Sequence, residues 1–399
     1  MDFTTTLTTT IPPRRHWRQV HRVLCVRLDA MGDVLMTTPA LRAAKRSDPR
    51  RHVTLLTSPS GAEAGRLSPD VDEVLVYDAP WVKATEQRSA SRSDHELIRR
   101  LRAQQFDAAV IFTVYSQNPL PAAMMCYLAD IPRRLAHCRE NPYQLLTDWV
   151  PDPEPGVVRH EVQRQLDLVA SVGWQSLDQG LRLSIPPRAE ERAARRLEVA
   201  GLRPERPWVV VHPGARAPSR RYSETAFAAV VRSLVRSHGW QVVLTGTRSE
   251  EPLLGRIRAH AGVPVISLGG CLSLAELAAL IARAPMVVSN NTGPVHVAAA
   301  VGTPVVDVYA LTNPQHTPWQ VPSRVLYYDV PCKSCYRSVC PEGHHRCLAG
   351  VPPERVVEAA LELMEETRVV RRGPLSVPQD LFVARSAGRR TAVEAHSSG

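Results

Sequence analysis

The run Asn290-Asn291-Thr292-Gly293-Pro294-Val295-His296 carries residue types that could hold an anion. It follows an apolar strand pattern and opens a helical one. Thr292 suits a helix N-cap and Pro294 suits the first turn. Gly293 has no Cβ, so a ligand can approach the backbone closely. The free N–H groups and the positive dipole end of such a helix attract phosphate. His296 lies one turn further on the same side. Thr-Gly-Pro also serves ordinary capping, so this stretch alone leaves both readings open. Two more loops sit at strand ends, His212-Pro213-Gly214 and Thr245-Gly246-Thr247. In a parallel sheet such ends converge on one ligand crevice, which favours a nucleotide.

A second group is Cys332, Cys335, Cys340 and Cys347, spaced C-x2-C-x4-C-x6-C, with His344 and His345 between the last two. In a reducing compartment such thiols suit a structural zinc or iron site, closed to substrate. A disulfide pair or free thiols is the alternative. Cys25, Cys126, Cys138 and Cys271 are scattered and read as packing residues.

The elements that must position these residues alternate. Val23 to Leu28, Val53 to Leu56, Val74 to Tyr77 and Ala108 to Phe112 read as strands. The loop Asp29-Ala30-Met31-Gly32-Asp33 leads to a helix near Thr38 to Ser47, and further helices are expected at 95–104 and 160–172. Pro151 to Gly156 reads as a surface loop. A helix near Arg188 to Ala200 opens a second unit with strands at 209–211, 241–244, 265–268, 286–289 and 305–309, the last closing the series. Its helices are expected at 223–237, 250–261, 274–283 and after Thr292. Strands alternating with helices predict an α/β fold with parallel sheets covered on both faces. The expected division is a disordered leader 1–18, an N-terminal unit 19–186, a C-terminal unit 187–370 and a disordered tail 371–399.

With 399 residues, 44% of them hydrophobic, two cores are expected. The net charge of +10 favours anionic partners. No run of 18 apolar residues occurs, and the Thr-rich start lacks signal-peptide order, so a cytoplasmic protein is expected, with peripheral contact at the inner membrane leaflet as an option. A nucleic-acid-binding protein built on the cysteines is the competing class. It leaves the glycine loops unexplained and lacks interleaved aromatics, so no nucleic acid is expected.

Val26-Arg27-Leu28-Asp29-Ala30-Met31-Gly32-Asp33-Val34, the Thr-Gly-x-x-His signature at Thr292 to His296, and Gly269 with Leu272-Ser273-Leu274-Ala275-Glu276-Leu277 resemble glycosyltransferase family 9, the ADP-heptose heptosyltransferases, over about residues 21–366. The resemblance implies a GT-B fold, two Rossmann-like domains facing a cleft, with the donor on the C-terminal side. It implies inverting transfer from ADP-heptose to an anionic glycolipid of lipopolysaccharide-core type, with no cofactor or metal for catalysis. A protein, secondary-metabolite or other glycan acceptor is the alternative. Asp33 is then the general base, with Arg27 and Gly32 beside the acceptor; otherwise Asp33 is a helix cap. His212, Gly214, Gly246, Asn291, Thr292, Gly293 and His296 are expected at the donor. Relatives place a Lys and an aromatic residue where Arg220, Arg221 and Tyr222 stand, so either Arg could neutralise the diphosphate. Glu250 is expected at the ribose or base. Asn291 replaces a family Asp that holds sugar hydroxyls, which leaves the exact donor sugar open.

Overall fold

A computed structural model of the chain describes residues 17–82, 89–152 and 158–372. The first half runs β1 (Arg22–Arg27), α1 (Met31–Ser47), β2 (His52–Thr57), α2 (Ala62–Arg66), β3 (Glu73–Val76) and α3 (Arg92–Ala103). It continues with β4 (Ala108–Ile111), α4 (Leu120–Leu128), β5 (Arg133–Cys138), β6 (Asp148–Pro151) and α5 (Glu161–Ala170). The second half opens with α6 (Pro187–Val199), β7 (Trp208–His212), α7 (Glu224–Arg236), β8 (Gln241–Leu244), α8 (Glu251–Ala261), β9 (Ile266–Ser267) and α9 (Leu274–Arg283). It closes with β10 (Val287–Asn290), α10 (Gly293–Val301), β11 (Val305–Val308), β12 (Ser323–Leu326), α11 (Arg346–Ala349) and α12 (Pro353–Arg372).

Each half builds one six-stranded sheet, ordered β3-β2-β1-β4-β5-β6 and β12-β11-β10-β7-β8-β9. All ladders are parallel. Counted from its own first strand, each sheet has the Rossmann order, which reverses between β1 and β4 and between β7 and β10. Ligands enter at that reversal, beyond the strand carboxyl ends. The strands are continuous apolar runs because helices cover both faces; every residue of β7 and β11 is buried.

Local chemistry fixes the helix ends. Ser223 accepts from the Ala226 N–H at 3.1 Å to start α7. The Ser-Leu-x-Glu segment proves to be a capping box on α9: Ser273 Oγ accepts from Glu276 N at 3.2 Å, and Glu276 Oε2 accepts from Ser273 N at 2.9 Å. Gly302, at φ 77°, ends α10 in the left-handed conformation. Pro39 lies inside α1 and withholds a donor from Leu35 O, four residues back; the Thr38 hydroxyl supplies it at 2.7 Å.

Three differences from the sequence reading matter. Helix α1 starts at Met31, not near Thr38, so Gly32 and Asp33 stand in its first turn rather than in a loop. Met31, Val34 and Leu35 stand at i, i+3 and i+4, so the buried stripe already begins in this first turn. Strand β12 extends the second sheet beyond the strand at 305–309 that the sequence makes its last. Trp17, assigned to the leader, is fully buried and meets Trp174 edge to face at 5.4 Å between ring centroids. The remainder of the leader, the tail beyond residue 372 and most of the loop at 151–156 lie outside the described residues.

The halves share one core. Val34 and Leu35 of α1 and Val295 and Val297 of α10 are fully buried in a single cluster, and α1 lies against α10. Polar ties cross the junction: Trp319 Nε1 donates to Gln179 O at 2.8 Å, and Leu274 N donates to Glu63 Oε1 at 3.0 Å. Trp17→Ala should lower unfolding stability by about 3–5 kcal/mol, measured by denaturant titration.

Candidate active site

The first turns of α1 and α10 meet across the junction. A Cβ on Gly32 would stand 2.7 Å from His296 Cδ2, and one on Gly293 would stand 1.9 Å from Met31 Cε. Both glycines therefore let two helix N-termini approach closely. This corrects the role expected of Gly293: the space over its Cα holds the Met31 methyl rather than standing open for a ligand. Gly293 still lines the cleft beside it. That cleft, of about 1410 Å³, is walled by Gly32, Asp33, Ser58, Thr113 and Gln117 on one side and by Arg216, Arg220, Thr292, His296 and His316 on the other.

On the first wall, Arg27 is completely buried at the end of β1. It faces three carboxylates: Glu161 at 2.8 Å, Asp29 at 3.0 Å and Asp33 at 3.2 Å. Asp33 Oδ2 also accepts from the Ala30 N–H at 3.2 Å, as an N3 residue of α1 does. Asp33 thus caps the helix and still lines the cleft, its side chain 17% exposed while Arg27 and Glu161 have no exposure. Burial alone would raise the Asp33 pKa, but the Arg27 charge, with weaker help from His316, His296 and Arg220, holds it below the ordinary carboxylate range. Asp29 is the opposite case. Burial and repulsion by Asp33 outweigh Arg27 and a hydrogen bond from Gln117, and lift it to about 6. Arg27, expected beside the acceptor, stands behind Asp33 and outside the cleft lining.

On the second wall, Thr292 occupies the N-cap position of α10 in extended backbone, but its side chain makes no capping bond. The expected cap is absent because the hydroxyl is not turned onto the helix. The N-terminus is therefore left to the cleft. His296 is 3% exposed, and its Nδ1 has no hydrogen-bond partner among the described residues. Burial first, and then His316 nearby, push its pKa down to about 3, so the ring is neutral at pH 7. Arg220 lies over the Tyr309 ring at 5.6 Å and reaches Asn291 Oδ1 at 3.4 Å. Arg221 instead donates to Ala215 O at 2.7 Å and Arg216 O at 3.3 Å, so the loop itself consumes it. The choice between the two arginines falls to Arg220.

Other expected donor residues stand apart from this cleft. His212 is buried against Thr245 Oγ1 at 3.0 Å, and burial lowers its pKa to about 4. Glu250 Oε2 accepts from Thr247 N at 2.8 Å, and its Oε1 leans over Gly214, where a Cβ would be 2.0 Å away. A Cβ on Gly246 would stand 3.3 Å from the same carboxylate. These four form one cluster at the ends of β7 and β8, outside the cleft lining. Asn291, expected at the donor sugar, differs from these four: although fully buried, it lines the cleft, beside Arg220.

The four cysteines expected at a structural metal site lie between β12 and α11, with Cys347 inside α11. Among the described residues no group of three or more His, Cys, Asp or Glu is arranged to hold a metal ion. Cys332, Cys335, Cys340 and Cys347 are half-buried free thiols, and Cys332 Sγ comes no nearer to His344 Nε2 than 3.9 Å. The segment's backbone is spent elsewhere: Ser334 N donates to Leu311 O at 3.0 Å, Tyr336 N to Thr312 O at 2.7 Å, and Ser338 O accepts from Ser219 N at 3.0 Å. It is a strap that places Tyr336, Arg337 and Ser338 on the cleft wall.

Sequence reasoning missed Glu161, Asp29, Asp307 and His316. Asp29 stands in the quoted Gly-Asp loop but was given no role, while Glu161, Asp307 and His316 lie elsewhere in the chain without a spacing signal. Arg27→Met should strand Asp29 and Glu161 as buried, unpaired carboxylates and cost about 3–5 kcal/mol at pH 7. Their pKa values then rise, so the loss belongs to high pH and shrinks as pH falls below the raised values. Denaturant titrations at pH 5 and pH 8 check this sign.

Comparison with known proteins agrees with this geometry. A profile of glycosyltransferase family 9 (heptosyltransferase) matches residues 95–346. Lipopolysaccharide heptosyltransferase 3 of Escherichia coli is 27% identical over 72% of this chain and 83% of its own length. The solved glycosyltransferase family 9 protein of Veillonella parvula superposes with a TM-score of 0.74 at 22% identity, over 87% of this chain and 98% of that one. The E. coli ADP-heptose LPS heptosyltransferase II superposes with a TM-score of 0.67 at 24% identity, over 87% and 99%. Two Rossmann-like domains about one cleft, in a chain whose sequence matches that profile over more than half its length, are a GT-B enzyme belonging to glycosyltransferase family 9.

Proposed function

We propose that the chain transfers a heptose from ADP-heptose to an acceptor of lipopolysaccharide-core type, with inversion and without a catalytic metal. One observation carries this reading: Asp33 and the α10 N-terminus with Arg220 stand on opposite walls of the same cleft. The names of the relatives support heptose as the sugar and lipopolysaccharide as the acceptor.

The acceptor hydroxyl attacks the anomeric carbon, the bond from that carbon to the diphosphate oxygen breaks, and the hydroxyl proton passes to Asp33. Asp33 is suited to receive it because Arg27 keeps the carboxylate ionised through the neutral range. Charge that develops on the departing ADP falls to the positive dipole end of α10, to Arg220 and to neutral His296. The +10 net charge suits an anionic glycolipid. Among the described residues no helix is long and apolar enough to cross a membrane. Access to a lipid-anchored acceptor is then peripheral, on the cytoplasmic face of the inner leaflet.

Asp33→Asn should lower ADP release from ADP-heptose with lipopolysaccharide-core acceptor by about 10²–10⁴-fold, with ADP affinity by calorimetry held near wild type. Full activity in that variant would remove Asp33 from the role of base. Arg220→Ala should weaken ADP binding by about 10–100-fold, the worth of a charge-assisted hydrogen bond. His296→Ala should weaken it less, since a neutral ring supplies one ordinary hydrogen bond.

A further inference from the structure

The residue behind Arg220 has an unusual orientation. Asn291 is fully buried, and its Nδ2 donates to Asp307 Oδ2 at 2.9 Å and to the His316 carbonyl at 2.9 Å. Both amide hydrogens are therefore used inward. Only the carbonyl oxygen remains, and it is turned to Arg220 at 3.4 Å. Asp307, on β11, is fully buried too, and its Oδ1 has no hydrogen-bond partner among the described residues.

We propose that Asp307 and Asn291 are a positioning pair that holds Arg220 beside the α10 N-terminus with its charge left unneutralised. Asp307 decides which end of the Asn291 amide faces Arg220. The exposed end is a neutral acceptor, strong enough to orient a guanidinium and too weak to quench it. The Tyr309 ring supports the same guanidinium from β11's far end. A carboxylate at position 291 would instead form an ion pair with Arg220 and would stand against a second buried acid. Burial already lifts the Asp307 carboxyl to about 7, with Asn291 and Arg220 opposing. The pair rests on the reading of this end of the cleft as the diphosphate site, so ADP is the probe.

The test compares wild type, R220A, N291D, D307N and N291D/D307N by thermal unfolding at pH 5 and pH 8 and by calorimetry with ADP. N291D sets two acids together, so one of them titrates upward; stability is kept below that raised pKa and lost as pH rises through it. The expected Tm loss is about 5 °C at pH 8 and smaller at pH 5. ADP affinity should fall about tenfold, because the new anion pairs with Arg220. D307N can offer Asn291 either end of its own amide, so the carbonyl is no longer fixed towards Arg220 and ADP affinity should fall several-fold; unchanged affinity in D307N removes Asp307 from the pair. The double variant separates the roles. It removes the second acid and should regain the Tm, yet its ADP affinity should stay as weak as that of N291D. Recovery of both together means a purely structural pair and overturns the proposal, as does unchanged ADP affinity in N291D. Indifference of ADP binding to R220A overturns the diphosphate reading and the proposal with it. Loss in R220A without loss in N291D overturns the proposal alone.

Discussion

The close approach of two helix N-termini is the constraint on which the rest depends. Helices α1 and α10 start from the reversal points of two different sheets, and they can meet because Gly32 and Gly293 present no side chain at the contact. Two positive dipole ends facing one another are unfavourable unless anionic groups lie between them. Asp33 supplies one such group from within. A diphosphate would supply the other from without. The geometry that joins the halves also sets a carboxylate across from an anion-seeking helix end.

Electrostatics then divides the cleft into unequal walls. Behind Asp33, a single buried guanidinium serves three carboxylates. The cation cannot neutralise all of them equally. Asp33 and Glu161 stay ionised, while Asp29 is pushed towards its protonated form. The opposite wall has Arg216, Arg220 and Arg337 as charged groups, with two histidines that burial keeps neutral. The two walls therefore present different fields a short distance apart.

The cysteine-rich segment also shapes the cleft through its backbone. Ser334, Tyr336 and His345 adopt positive φ, and the backbone bonds to loops at the cleft rim. Those bonds set its path. What the segment gives the site is a wall of Tyr336, Arg337 and Ser338 over the loop that carries Arg220.

The sequence by itself determined the alternation of strands and helices, because continuous apolar runs and helical stripes report burial on both faces of a parallel sheet. It determined the ends of α7 and α9 through Ser223 and Ser273, whose capping is local. It also marked Asp33, Arg220, Thr292, Gly293 and His296, since glycine turns at strand ends have a recognisable grammar. Tertiary structure decided the rest. Arg27 could be seen, but its partner Glu161 lies 134 residues away, and only folding joins them. Asn291 could be seen, but its orientation is set by Asp307 and His316 from other elements. Arg220 and Arg221 are neighbours of identical type, and only the path of the loop turns one to the cleft and the other to its own carbonyls. Local sequence carries propensity and capping; the direction in which a side chain points, and the charges it meets there, come from contacts distant in the chain.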